Sequence, residues 1–564
     1  MSIEKLKQLK DFRNFLYVVW KHLNLPNPTD LQYDIADFMQ HGPKRSVIMA
    51  FRGVGKSWIC SAYAVHQLLL DPTKNILVVS ASKNRADDFS TFTLKIIHDI
   101  PVLQGLIPKN DQRFSKIAFD VGPAPAAHAP SVKSLGISSQ LTGSRADIII
   151  ADDIEVPNNS ATQGMRDKLD EQVKEFEAII KPLDTSRILF LGTPQCEDSI
   201  YNKLRERGYD ARIWTSEYPS EDLVLKNYDN DIAPFITNQI TEETVGHTTE
   251  PLRFSDMDLE ERKLSYGRTG YALQFMLNPR LSDADRYPLK INDLIITDID
   301  NDLAPEKIIW SSDPDNENKD LPNVGLGGDR YHRPSKTIGD MVEYTGSVLS
   351  IDPSGRGKDE TGFAVVKMLN GQLFVPEAGG LKGGYDDQTL KQLVHIAKNN
   401  KVNKIIIESN FGDGMFTQLL KPHMNRIHPC EIEEIRQHQQ KELRIIDTLE
   451  PLMNQHRLII DPKVIQEDYD SALKNFPPDK APQYMLMYQM SRLSKDRGSL
   501  KHDDRLDSLA IAVKYFLDIL DVDQGLRASQ AKEELLDRSL DQFKEEWYEK
   551  NGGNNNQGLK LWGR

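Results

Sequence analysis

Short, almost continuous apolar runs alternate along residues 1–220 with stretches whose apolar positions recur at helical spacing. The runs are "SVIMAF" (46–51), "NILVVSAS" (75–82), "ADIIIADD" (146–153) and "SRILFLGTP" (186–194), with "GKSWICSAYAVHQLLL" and "KNRADDFSTFTLKIIHDI" as helical intervals. Strands covered on both faces lose the apolar–polar alternation, so the pattern predicts a parallel sheet between layers of helices. Residues 221–300 read as a more polar helical subdomain, and 301–345, rich in Pro, Gly, Asn and Asp, as a linker. A second α/β pattern fills 346–520, from "SVLSIDPSG" through "TGFAVVKMLNGQLFVPEAGG" and "VNKIIIES" to the helix "HDDRLDSLAIAVKYFLDIL". Asn370–Gly371 inside it is a hairpin signal. The tail 521–564 carries the low-complexity spacer "NGGNNNQG" before "LKLWGR", and reads as a flexible arm.

Composition changes this picture little. The length of 564 residues calls for several domains, and no apolar run reaches membrane-spanning length. Three scattered cysteines form no C-x-x-C pair, which argues against a disulfide framework or a cysteine zinc site. A net charge of −14 sits awkwardly with a nucleic-acid enzyme, but it cannot exclude a local basic channel.

Candidate chemistry changes it more. "AFRGVGKS" (50–57) is a phosphate-binding loop with Ala50 where the leading glycine normally stands. It follows a strand and opens a helix, so its backbone N–H groups face an anion. Ala is acceptable there if residue 50 keeps ordinary β geometry. Gly53, Gly55, Lys56 and Ser57 are the phosphate contacts, with Arg52 as an added positive charge. "IIIADD" places Asp152 to hold Mg²⁺ with Ser57, and Asp153 to activate the attacking water, with Glu155 as the alternative base. Three features give weaker support: Gln32 in "PTDLQ" can read an adenine edge, Thr193 in "LGTPQ" can sense the γ-phosphate, and Arg145 can act in trans on a neighbouring subunit's nucleotide. The simpler roles of these residues are a helix cap, a strand-ending turn and a pair with Asp147.

The second half carries carboxylates at element ends. Asp352 and Glu408 close two strands, and Asp503, Asp504 and Asp507 crowd one helix turn, with 504 and 507 on the same face. Such clusters repel unless a cation binds, and two hard cations about 4 Å apart suit phosphodiester cleavage. Asp352, Glu408 and Asp503 or Asp504 are the candidate ligands, with Asp504 as the catalytic choice. "DPSG…KDETG" also fits the phosphate turn of actin-like ATPases, and "HDD" the metal pair of phosphohydrolases, but the separate phosphate loop and the missing upstream histidines count against both.

Together, "AFRGVGKS", "VSASKNRADD", "SVKSLGISSQLTGSRADIIIADDIE", "LGTPQ", "YALQFMLNP", "DLPNVGL", "IDPSGRGKDETG", "ESNFGDGMF" and "HDDRLDSLA" resemble the large terminase subunit of tailed bacteriophages, podovirus type, over nearly the whole chain. The resemblance implies an N-terminal P-loop ATPase domain of the ASCE type followed by an RNase H-like nuclease domain. It implies a motor that drives double-stranded DNA into a procapsid and cuts concatemeric DNA, using ATP and Mg²⁺ (or Mn²⁺ at the nuclease). By position, Lys56, Ser57, Asp152 and Asp153 fall on the ATPase motifs, Arg145 on an inter-subunit finger, and Asp352, Glu408 and Asp503 or Asp504 on the nuclease ligands. Asp at 153 departs from the family's usual Glu. The implied partners are a small terminase subunit, the portal protein and further copies in a ring, usually a pentamer. The implied place is the host cytoplasm, transiently at the procapsid portal and not in the mature virion. A helicase-nuclease of repair or defence and a non-catalytic assembly component are the rival readings.

Overall fold

Arg45–Ala50 (β1), Ile76–Ser80 (β2), Ala118–Phe119 (β3), Val132–Gly136 (β4), Ile148–Asp152 (β5), Arg187–Gly192 (β6) and Asp210–Trp214 (β7) form one sheet in the computed structural model, in the order β3-β4-β2-β5-β6-β1-β7. The structure describes residues 7–354, 360–408, 414–437 and 439–520. All neighbours in this sheet run parallel except the short β3, which is antiparallel to β4. β2 and β5 are buried at every position, which is why they read as unbroken apolar runs. The sheet carries the helices Phe12–His22 (α1), Asp30–His41 (α2), Lys56–Leu70 (α3), Lys83–Asp99 (α4), Gln163–Ile179 (α5) and Asp256–Gln274 (α6). This first compact unit comprises residues 1–288, with Leu326–Gly328 and Arg492–Lys501 added from later in the chain.

The second unit takes the rest of the chain. Its sheet joins Ile295–Ile296 (β8), Gly346–Asp352 (β11), Thr361–Leu369 (β12), Gln372–Leu381 (β13), Lys404–Glu408 (β14), Glu431–Ile435 (β15) and Leu458–Ile460 (β16) in the order β15-β14-β11-β12-β13-β16-β8. β11, β12 and β13 form an antiparallel meander, while β14 pairs parallel with β11 and β15 with β14, the RNase H-like arrangement. The Asn370–Gly371 hairpin joins β12 to β13, both residues taking the positive φ (50° and 76°) that the tight turn needs. Asp387–Asn399 (α7), Met415–Ile427 (α8), Lys441–Asn454 (α9), Pro462–Asn475 (α10) and a helix over 504–520 (α11) complete the layers.

The stretch read as a linker is more ordered than its composition suggests. Leu303–Ile309 (β9) and Lys336–Glu343 (β10) pair antiparallel as a separate two-stranded sheet. β10 is exposed at nearly every position, so no apolar alternation marked it. β8, within the segment expected to be helical, pairs with β16 instead. The tail 521–564 lies outside the described residues, as do 355–359 and 409–413 within two of the motifs. No helix among the described residues is long and apolar enough to cross a membrane.

Candidate active sites

The loop between β1 and α3 opens on a cavity of about 590 Å³. Ala50 completes β1 in register with Trp214, so the loop leaves from ordinary strand geometry and the leading glycine is dispensable. Gly53 and Gly55 take φ of 95° and 93°, and a Cβ at Gly53 would stand 2.9 Å from the Phe254 ring. Lys56 is buried and its ammonium donates to the carbonyls of Ala50 and Phe51. Burial pulls it below its ordinary range, against the opposite pull of Asp153 and Asp152. Arg52, Gly53, Gly55, Lys56, Ser57, Asp153 and Thr193 all line the cavity.

Asp152, the last residue of β5, accepts a hydrogen bond from Ser57, while its Oδ1 is buried with no hydrogen-bond partner. Burial and the neighbouring Asp153 raise its pKa to about 7. An orphaned carboxylate oxygen beside a serine hydroxyl and a phosphate loop fits a divalent cation. Asp153 takes the left-handed φ of 46°, its N–H tied to the Leu191 carbonyl at 2.8 Å, an uncommon conformation for a residue other than glycine. Glu155 also lines the cavity, but its oxygens are engaged by protein donors. Its Oε1 accepts from the Gln195 N–H at 2.8 Å, and its Oε2 from the Ser199 hydroxyl at 3.0 Å and the Ile200 N–H at 2.6 Å.

Two expectations change here. Gln32 is fully buried behind the loop rather than on the cavity wall: its amide donates to Val54 O at 2.7 Å, and its oxygen accepts from Thr29 N at 3.2 Å to complete a capping box on α2. Arg145 does not pair with Asp147, whose partner is Lys181 at 2.8 Å. It is exposed before the N-terminal end of β5, donating to the carbonyls of Ser144 and Ala178.

In the second unit, Asp352 and Glu408 end the adjacent strands β11 and β14, where Ile351 pairs with Ile407, so both carboxylates emerge at the same edge. Ligand oxygens of Asp352, Glu408 and Asp507 lie within 4.8 Å of one another. Among the described residues Asp507 is the third carboxylate that meets this spacing, where Asp503 or Asp504 was expected, and Asp504 acts on Asp352 through its charge. Asp503 lies just before α11 and binds Lys441 at 2.8 Å, whereas Asp507, one turn into the helix, is fully buried against the cluster. Lys441 also lies 3.0 Å from Asp507 and 3.6 Å from Asp352, and Arg444 holds Asp507 at 2.7 Å. Burial raises Asp352 well above the ordinary carboxylate range; Lys441 opposes this, while Asp507, Glu408 and Asp504 add to it. Three carboxylates crowded within 4.8 Å of one another are a donor set suited to hard cations.

Residues 351–458 match the family model of the terminase of bacteriophage T7, ribonuclease H-like domain, and residues 47–172 that of the terminase large subunit, T4likevirus-type, N-terminal. The large terminase subunit of Enterobacteria phage T3 is 47% identical over 547 residues, covering 95% of this chain and 92% of that protein. The chain belongs to the large terminase subunit family. The large terminase of bacteriophage HK97 is a structural neighbour at 13% identity and a TM-score of 0.40, spanning 87% of this chain and 95% of that one. The Mn-soaked nuclease domain of the human cytomegalovirus terminase is another, at 14% identity and a TM-score of 0.23, spanning 30% of this chain and 83% of that one. As a large terminase subunit the chain is an ATPase and a nuclease of a DNA packaging motor. The T7-type model and the T3 relative agree with the podovirus-type branch.

Several residues of this terminase escaped sequence reading. Arg85 and Arg253 line the nucleotide cavity from α4 and from the turn before α6. Arg85 could have been found, since it stands in the first turn of a helix after an apolar strand. Lys441 and Arg444 lie in a stretch that reads as an ordinary amphipathic helix, and no local signal marks them.

Proposed function

We propose that the two sites divide the packaging work. The first unit hydrolyses ATP, with Lys56, the loop N–H groups and Arg52 on the phosphates and Thr193 beside the γ-phosphate. Ser57 and Asp152 would hold Mg²⁺, which when bound neutralises charge on the phosphates. Asp153 is the general base. The engaged oxygens of Glu155 support this choice, since a carboxylate holding three protein donors is poorly free to take a proton from water. Arg85 and Arg253 add positive charge to the cavity wall. Arg145 serves the nucleotide of the next copy in a ring, a reading supported by its exposure and by its carbonyl-only contacts at the end of β5 away from Asp152.

The second unit cuts duplex DNA through Asp352, Glu408 and Asp507. These would hold two Mg²⁺ ions, or Mn²⁺ in their place, which when bound supply a nucleophilic water and stabilise the leaving oxygen. Lys441 shares the carboxylates and keeps the cluster together. The motor acts with a small terminase subunit and the portal, as a ring of copies on the procapsid in the host cytoplasm.

The observation that carries this reading is the pairing, in one chain, of an orphaned Asp152 oxygen at a phosphate loop with a three-carboxylate cluster on a separate sheet. ATP turnover and Mg²⁺-dependent nicking of supercoiled DNA test it together. Lys56→Ala should lower ATP turnover by a factor on the order of 100 or more and leave nicking intact, and Asp507→Asn should do the reverse. Loss of both activities in both folded variants would contradict the division.

A further inference from the structure

Arg505 stands between Asp504 and Asp507 on α11, and it is fully buried. Its Nε and Nη2 donate to one oxygen of Glu360 at 3.0 and 2.8 Å. Its Nη1 donates to Asp468 Oδ1 at 2.7 Å and to the Ser471 hydroxyl at 3.2 Å. Asp468 in turn accepts from the N–H groups of Leu486 and Met487, so the guanidinium ties α11 to α10 and to the start of β12. Two glycines make room for this clamp. A Cβ at Gly380 would fall 2.2 Å from Glu360 Oε2 and 2.8 Å from Arg505 Nε, and a Cβ at Gly362 would fall 2.2 Å from the Asp504 carbonyl oxygen. Gly362 is the register partner of Asp352. The first turn of α11 therefore lies close against the strand beside Asp352, held there by the charge network of Arg505, Glu360 and Asp468.

We propose that Arg505 is a positioning residue of the nuclease: it fixes Asp507 relative to Asp352 and Glu408, and thereby sets the affinity and the pairing of the cations the cluster holds. A guanidinium suits the task because its rigid fork fixes two carboxylates at once, which an ammonium of equal charge cannot do. The inference rests on the assignment of Asp352, Glu408 and Asp507 as cation ligands.

The test is Mn²⁺ binding to the full chain, without nucleotide and in an Asp152→Asn background, read by calorimetry and by the electron paramagnetic resonance spectrum. Arg505→Lys should weaken Mn²⁺ binding about tenfold, as loss of supporting contacts around metal ligands does. It should also replace the spin-coupled signal of paired ions with that of isolated ones. Glu360→Gln should shift both readouts in the same direction but less. In the native background both variants should keep wild-type ATP turnover. Wild-type affinity and an unchanged coupled spectrum in folded Arg505→Lys and Glu360→Gln would overturn the positioning role, with Asp507→Asn still abolishing binding. Binding retained in Asp507→Asn would overturn the ligand assignment and the clamp with it.

Discussion

Asp153 and Glu155 stand two residues apart on the same exit from β5, and only their partners separate them. Both line the cavity, but the oxygens of Glu155 are spent on Gln195, Ser199 and Ile200. Asp153→Asn should lower kcat for ATP by a factor of about 100 to 1,000 with a smaller change in KM, measured in steady-state assays. Glu155→Gln removes a charge from three donors, so its main effect should be a drop in Tm by thermal unfolding. A pH effect belongs at Asp283. Burial raises its pKa from the ordinary 3.8 to about 7, although the Glu197 N–H pulls it down, and its Oδ1 has no hydrogen-bond partner. Because the folded-state value is the higher one, the native state holds the proton longer. Stability should therefore fall as pH rises from about 4 to about 7, by an upper limit of about 4 kcal/mol. Asp283→Asn should raise Tm at pH 8 and do little at pH 4; equal effects at both would contradict the assignment.

At the level of elements, Gly362 and the start of α11 make the tightest prediction. The methyl of Gly362→Ala would press on the Asp504 carbonyl, a backbone atom that cannot swing aside. Mg²⁺-dependent nicking should fall at least tenfold while ATP turnover stays near wild type, in parallel assays of one preparation. Much of the element order was legible because strands buried on both faces leave apolar runs, and glycine, asparagine and proline punctuate them. β9 and β10 were not, since β10 is exposed at nearly every position and β9 buries only Ala304 and Ile308, too few to mark a strand. The cluster was legible down to the helix but not to the residue. Asp504 and Asp507 share a face, and the choice between them turns on where α11 begins and on Arg444, 63 residues away in sequence. The Gln32 amide contact to Val54 was hidden for a similar reason, since helix-cap spacing does not reveal that partner.

For the whole molecule, the two α/β units each carry one set of chemistry-bearing side chains, and each unit gathers residues from distant parts of the chain. Separate sheets let hydrolysis and cutting be lost one at a time, which a single shared site would forbid. Membership of the large terminase subunit family makes the chain part of a DNA packaging motor, and on the proposed division of labour the nuclease creates DNA ends while the ATPase drives translocation. DNase protection of DNA packaged into purified procapsids, with linear DNA already cut to length, tests this most directly. Asp352→Ala should protect as much DNA as the wild type, and Lys56→Ala should protect none above background. Failure of folded Asp352→Ala to protect pre-cut DNA, with its ATP turnover intact, would contradict the account.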